Sequence, residues 1–287
     1  MSEALERPSV SEPLLDVRNL RVSFPTHRGR VEVVRGSTFT LGRERLGIVG
    51  ESGSGKSMTG RAILRLIRRP GRVTADRLRF AGTDLLALSE RGMRAIRGAR
   101  IAMVMQDPKF SLNPVMTIGA QIAEALLAHT ELDRKAVAAR TRAMLEAVRI
   151  DDPDRVMRLY PHELSGGMGQ RVMIAMMLVP EPDILIADEP TSALDVSVQA
   201  QVLDVMDALV RDHGMGLILI SHDLPLVARY CDRILVMNGG EIVEECEANA
   251  LHEARHPYTR GLLEALPHMD ETREFLPVMD RSARAPA

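Results

Sequence analysis

At 287 residues and a formal charge of −2, the chain can form one large domain or a core domain with an inserted subdomain. Its charge balance excludes the basic footprint of a nucleic-acid binder. No apolar run approaches the roughly 18 residues that cross a bilayer, the acidic start MSEALERPSV lacks the basic-then-apolar order of a secretory signal, and two cysteines fit a reducing cytoplasm rather than a disulfide scaffold.

Residues 1–13 read as a loose polar tail. From 14 to 39 apolar and polar residues alternate, as antiparallel strands require. A short apolar strand, Leu46 to Val49, then runs into GESGSGKS at 50–57, followed by a helix from near Met58. Letters and context both fit the phosphate-cradling pattern G-x-x-x-x-G-K-[S/T]. Gly50, Gly53 and Gly55 let backbone N–H groups converge on phosphate oxygens in a curl that side chains would block. Glu51, Ser52 and Ser54 complete the loop, and the helix turns its positive end to the same anion. Lys56 can reach the β- and γ-phosphates of a nucleotide, and the Ser57 hydroxyl suits Mg²⁺. Kinases, GTPases and motor ATPases share such a loop, so alone it does not name the reaction.

Beyond another apolar strand, IAMV, stands Gln106. Between 117 and 150 the apolar residues recur at helical spacing: Ile118, Ile122 and Leu126, then Val137, Met144 and Val148, with the turn-like HTELD between them. This predicts a helical subdomain over about 110–180. LSGGMGQR at 164–171 opens its last helix. The apolar strand before ILIADEP's carboxylates ends at Asp188 and Glu189. In a parallel sheet these emerge at the crevice beyond the strands' carboxyl ends, beside the phosphate loop. There Asp188 can hold Mg²⁺ or its water and Glu189 can deprotonate an attacking water; the alternative is an ordinary strand cap before Pro190. LILIS leads to His222, and NGGEIVE reads as a returning hairpin. Residues 269–287, charged and proline-containing, are expected to be poorly ordered.

With the phosphate loop, LSGG and the Asp-Glu pair in this order, the sequence resembles the ATP-binding cassette (ABC) family. The resemblance implies a P-loop α/β nucleotide-binding domain over 14–268, with a RecA-like core, an antiparallel β subdomain and an inserted helical subdomain. It implies that Ser165, Gly166 and Gly167 contact the γ-phosphate of ATP held on a partner's loop, chemistry suited to a helix N-terminus. Gln106 matches the family glutamine that touches Mg²⁺ or the attacking water. SALD at 192–195 matches a loop at the dimer interface, with Asp195 its polar contact, and His222 matches a γ-phosphate histidine. For adenine, in a chain without tryptophan, Phe24 in LRVSF is either the stacking platform or a core residue of its strand.

SLNPVMTIGAQI, LDVSVQAQVLD and HPYTRGLLEALP narrow the likeness to ATPases of peptide and nickel importers, the D-type subunits. The implied partners are a second ATPase subunit (a related F-type chain or a second copy), two membrane permeases and, indirectly, a solute-binding protein, at the cytoplasmic face of the inner membrane. An ATPase of a cytoplasmic enzyme complex of the carbon–phosphorus lyase type stays open as an alternative. Three departures stand out. Cys231 and Cys246 are not in metal-ligand spacing, so no iron–sulfur cluster is expected. Gly169, where relatives often carry a basic residue, is expected to loosen the LSGG helix start. Arg43 replaces a common glycine, leaving Gly42 to make the turn into the central strand.

Overall fold

The first layer follows from period-two alternation. Strand β1 (Leu15–Thr26) pairs antiparallel with β2 (Gly29–Leu41), and Val17, Leu20, Val22, Val34, Phe39 and Leu41 bury their side chains on one face. The computed structural model describes residues 13–27, 29–106, 111–192 and 194–265; the expected C-terminal tail, and the N-terminal tail apart from Pro13, lie outside the described residues. The other edge of β1 carries β4 (Arg72–Thr74) and β5 (Arg77–Phe80), and β5 carries β6 (Thr83–Asp84). The sequence reading did not anticipate these three. RLRF alternates exposed arginine with buried Leu78 and Phe80, but four residues are too few to separate a strand from a loop.

The second sheet is parallel apart from its last strand. Its order is β11-β10-β3-β9-β8-β7, formed by β3 (Arg45–Val49), β7 (Ile101–Val104), β8 (Ile184–Asp188), β9 (Gly216–Ser221), β10 (Arg233–Asn238) and the hairpin strand β11 (Glu241–Glu247). The strands read as unbroken apolar runs because both faces are covered. Leu46, Ile48, Ile184, Ile186, Ile218 and Ile220 pack toward β1, β2 and helix α1 (Lys56–Ile63). Leu185, Ala187, Leu217 and Leu219 pack toward helices on the opposite face. Each fully buried Leu or Ile contributes about 1.5–3 kcal/mol. At the foot of the sheet Arg45 bridges Asp207 and Asp232, fastening β3 to its neighbours.

Helix α2 (Glu90–Ile96) precedes β7. Between β7 and β8 run α3 (Ile118–Leu127), α4 (Arg134–Ala147), the short α5 (Pro153–Val156) and α6 (Gly166–Leu178). Thr117 and Asp133 cap α3 and α4 by accepting from the Ala120 and Ala136 amides, which fixes where each apolar stripe begins. After β8 come α7 (Val196–Asp212), α8 (Leu224–Tyr230) and α9 (Pro257–Glu264). Among the described residues no helix is long and apolar enough to cross a membrane.

Two local expectations are corrected. The start of α6 is intact: the Gly169 amide donates to the Ser165 carbonyl at 2.8 Å, and Gly169 is buried, so it is a packed position rather than one that loosens the helix start. The turn into β3 needs no left-handed glycine, because neither Gly42 nor Arg43 has positive φ. Arg43 instead donates to the Gly214 carbonyl and pairs with Asp183 at 3.5 Å.

Candidate nucleotide-binding site

The loop 50–57 leaves the carboxyl end of β3 and curls into α1. Its glycines serve for different reasons. A Cβ on Gly50 would lie 2.1 Å from the Met237 carbonyl oxygen and one on Gly55 would lie 2.6 Å from that of Val33, whereas Gly53 has open space and is required only by its φ of +82°. Blocking by side chains, expected at all three, holds for two.

Lys56 is buried, and its Nζ donates to the Gly50 and Glu51 carbonyls at 2.7 and 2.8 Å. That leaves one of its three donors without a loop carbonyl. Burial pulls its ammonium below the ordinary lysine range, against the opposing pull of Glu189, Asp188 and Glu51. The Ser54 hydroxyl is buried with no hydrogen-bond partner among the described residues. An orphaned hydroxyl and a desolvated ammonium in one glycine-built curl fit an anionic ligand such as the phosphates of ATP.

The Ser57 hydroxyl donates to Asp188 Oδ1 at 2.6 Å, and Arg61, one turn along α1, stands 3.8 Å from Oδ2. Burial pushes the Asp188 carboxyl above the ordinary carboxylate range, with Ser57 and Arg61 working against it. An oxygen pair of this kind, hydroxyl beside carboxylate, suits a hard divalent cation.

Glu189 has φ +48°, and its amide still donates to the Ile220 carbonyl at 2.9 Å. The chain therefore keeps the sheet register through Glu189 before turning left-handed, a conformation worth roughly 1–3 kcal/mol of local strain. Its Oε2 accepts from Gln106 Nε2 at 3.3 Å, and its Oε1 lies 3.4 Å from His222 Nδ1. Three residues from three strand ends thus meet at one carboxylate. A cavity of about 130 Å³ borders Glu189, Ser192, Gln199, Ser221 and His222. Phe24 is half-buried at the end of β1, its ring edge 2.7 Å from where a Cβ on Gly71 would stand.

Ser165 and Asp195 are both helix caps. Ser165 Oγ accepts from the Met168 amide at 3.3 Å and Asp195 Oδ1 from the Val198 amide at 3.0 Å. The two helix starts pack together, since a Cβ on Gly167 would meet Val198 Cγ1 at 2.6 Å. Between them opens a cleft of about 320 Å³ lined by Ser165, Gly166, Gly167, Arg171, Leu194 and Asp195. None of the hydrogen bonds or ion pairs of the described residues joins this cleft to the phosphate loop. Sequence reading missed Arg61, the left-handed turn at Glu189, and Tyr258, whose hydroxyl accepts from the Glu51 amide at 3.0 Å; HPYT was noticed only as a string.

A family model of the ABC transporter matches residues 34–192, the span from β2 through the phosphate loop, LSGG and the carboxylate pair. The chain belongs to the ABC transporter ATPase family. It is 47% identical over 262 residues to the dipeptide transport ATP-binding protein DppD of Bacillus subtilis, covering 90% of this chain and 78% of that protein. To the protein of the same name from Haemophilus influenzae it is 49% identical over 265 residues, covering 92% and 80%. Among solved structures, the ATP-binding cassette MJ0796, a dimer bound to ADP and phosphate, superimposes with a TM-score of 0.70 at 26% identity, over 82% of this chain and 98% of that one. Fold, family and ATPase activity thus stand as the sequence resemblance implied.

Proposed function

We propose that this chain is the ATP-hydrolysing subunit of a binding-protein-dependent importer for peptides or a related small solute such as nickel. The observation that carries the reading is the division of the site: one complete phosphate loop with its carboxylates, and one LSGG cleft that no hydrogen bond or ion pair of the described residues joins to it. The relatives named as dipeptide and oligopeptide transport ATP-binding proteins supply the substrate class. Two such subunits, this one and a related or identical partner, sandwich two ATP molecules, each between the loop of one chain and the Ser165 cleft of the other. Closure is passed to two permeases that hold the subunit at the cytoplasmic face of the inner membrane. The helices α3–α6 and the segment after Gln106 are the surface for that contact; residues 107–110 of it lie outside the described residues.

In the site, Lys56 and the loop amides hold the β- and γ-phosphates. Ser57 and Asp188, with Gln106, would hold Mg²⁺, which when bound neutralises phosphate charge. Glu189 takes the proton of the attacking water, held between Gln106 and His222 so that its carboxylate is aimed before substrate arrives. Asp195 and the Ser165 hydroxyl already point with their helix starts toward the cleft where an anion is favoured. Phe24 remains the candidate for adenine stacking. The test is hydrolysis by the reconstituted complex: turnover should be low for the isolated chain and rise when permeases and a peptide-loaded solute-binding protein are present. Full activity of the isolated chain as a monomer would overturn the shared-site reading.

A further inference from the structure

Helix α9 reaches the phosphate loop from the far end of the sequence. Its start is fixed to β11: Glu244 Oε1 accepts from the Arg255 and His256 amides at 2.6 and 3.2 Å, and His256 Nδ1 accepts from the Tyr258 amide at 3.2 Å. Leu262, Leu263 and the Tyr258 ring pack on the larger apolar cluster, and Thr259 is fully buried. This anchoring presents the phenol to the second residue of the loop, where Tyr258 Oη accepts from the Glu51 amide at 3.0 Å.

We propose that Tyr258 is a positioning residue of the phosphate loop, holding the Glu51 peptide in place when Lys56 leaves it for the nucleotide. The loop's own bonds give the reason. The Glu51 carbonyl accepts from Lys56 Nζ at 2.8 Å and from the Ser54 amide at 3.2 Å, so Lys56 is one of its two ties. A lysine drawn to the phosphates releases the Gly50 and Glu51 carbonyls together. What then fixes the first turn of the curl is Ser54 on the carbonyl side and Tyr258 on the amide side. Burial pushes the Tyr258 phenol above its ordinary range, so it stays neutral beside the phosphates and adds no repulsion. The inference rests on the loop's being the ATP site and adds that the C-terminal helix sets its affinity.

The experiment compares ATP binding by calorimetry on the full chain with KM and kcat of the reconstituted complex. Tyr258→Phe removes one oxygen and keeps the packing; affinity for Mg²⁺-ATP should fall, and KM rise, by about two- to tenfold, the range of one hydrogen bond, with kcat unchanged and the unfolding midpoint lowered only by the loss of that one bond. Glu51→Pro removes the donor from the other side, and in that background Tyr258→Phe should change affinity no further. In Glu51→Ala, which keeps the amide, it should have its full effect. Unchanged affinity in Tyr258→Phe, a loss confined to the unfolding midpoint, or additive losses with Glu51→Pro would overturn the proposal. Absence of ATP binding by the unaltered chain would instead overturn the ATPase reading beneath it.

Discussion

The phosphate loop and the LSGG segment are both polar, glycine-bearing turns that open a helix, yet the chain treats them oppositely. Around the loop, Lys56 and Asp188 are buried, Ser57 donates to Asp188, and Gln106 and His222 both approach Glu189. At the other turn Ser165 and Gly166 are exposed, and the cleft beside them is lined by residues of its own helix start and of the next. The shared physics is the unsatisfied amides of a helix N-terminus, which favour an anion. The difference is the surroundings. A buried lysine and a hydroxyl–carboxylate pair come with the first turn, whereas the second has Asp195 and Arg171 beside it; on the proposed reading the second acts on another molecule's phosphate.

The comparison is broken most directly by filling the exposed turn. Ser165→Arg should abolish ATP-driven dimer closure, read by cross-linking across the interface, while this subunit's own nucleotide binding persists because its loop is unaltered. The substitution also removes a helix cap worth about 0.5–2 kcal/mol. Ser165→Asp keeps the cap and places a negative charge in the cleft, so it should lose closure without losing stability. Loss of this chain's own ATP binding in the Asp variant would mean that LSGG acts in cis, and the contrast would fail.

On the self-contained side, Glu189→Gln should lower turnover by roughly 10²- to 10⁴-fold while ATP affinity persists and the closed, ATP-bound dimer accumulates. Glutamine keeps the size of the side chain and the contact with Gln106 but cannot take the proton. Near-normal hydrolysis by the reconstituted complex would remove Glu189 from the role of base. Lys56→Ala acts on binding instead: affinity should fall by about 1.5–3 kcal/mol, more for ATP than for ADP, since a charge-assisted contact to phosphate is lost. Equal affinities by calorimetry would contradict the loop assignment.

What the sequence made legible follows the range of the physics involved. Loop, carboxylate pair and LSGG are each contiguous strings whose chemistry is local, so they can be read without a fold. The parallel strands were legible because burial on both faces leaves unbroken apolar runs such as LILI at 217–220. Tyr258 and Glu51 are far apart in sequence, and nothing in HPYT says that its phenol ends at the phosphate loop; that follows only from the β10–β11 hairpin carrying α9 back across the sheet. Arg61 looked like one arginine among many. The positive φ of Glu189 has no residue signature at all, because glutamate gives no sign of a left-handed turn. Gly169 was expected to loosen the helix start but is buried, since the pattern of an N-terminal helix turn does not tell which side is covered.

The smallest expected effect sharpens the self-contained side of the comparison, because it separates stability from function at one atom pair. Asp188 is a buried carboxylate whose pKa lies above the ordinary range mainly through desolvation, with the Ser57 hydroxyl and Arg61 only partly compensating. The folded chain therefore holds this proton more tightly than the unfolded chain does. The stability linked to it is complete at pH values below the ordinary carboxylate range and is lost as pH rises through the raised value. Asp188→Asn is neutral throughout, and its amide oxygen can still accept from Ser57. In the absence of nucleotide and Mg²⁺, the variant should therefore unfold at a slightly higher temperature than the parent at neutral pH, and the gap should close as the pH is lowered. On the proposed role of Asp188 in holding Mg²⁺, Mg²⁺-dependent hydrolysis should fall at the same time. An Asn variant less stable than the parent at neutral pH would show that Ser57 and Arg61 outweigh the cost of burying the charge.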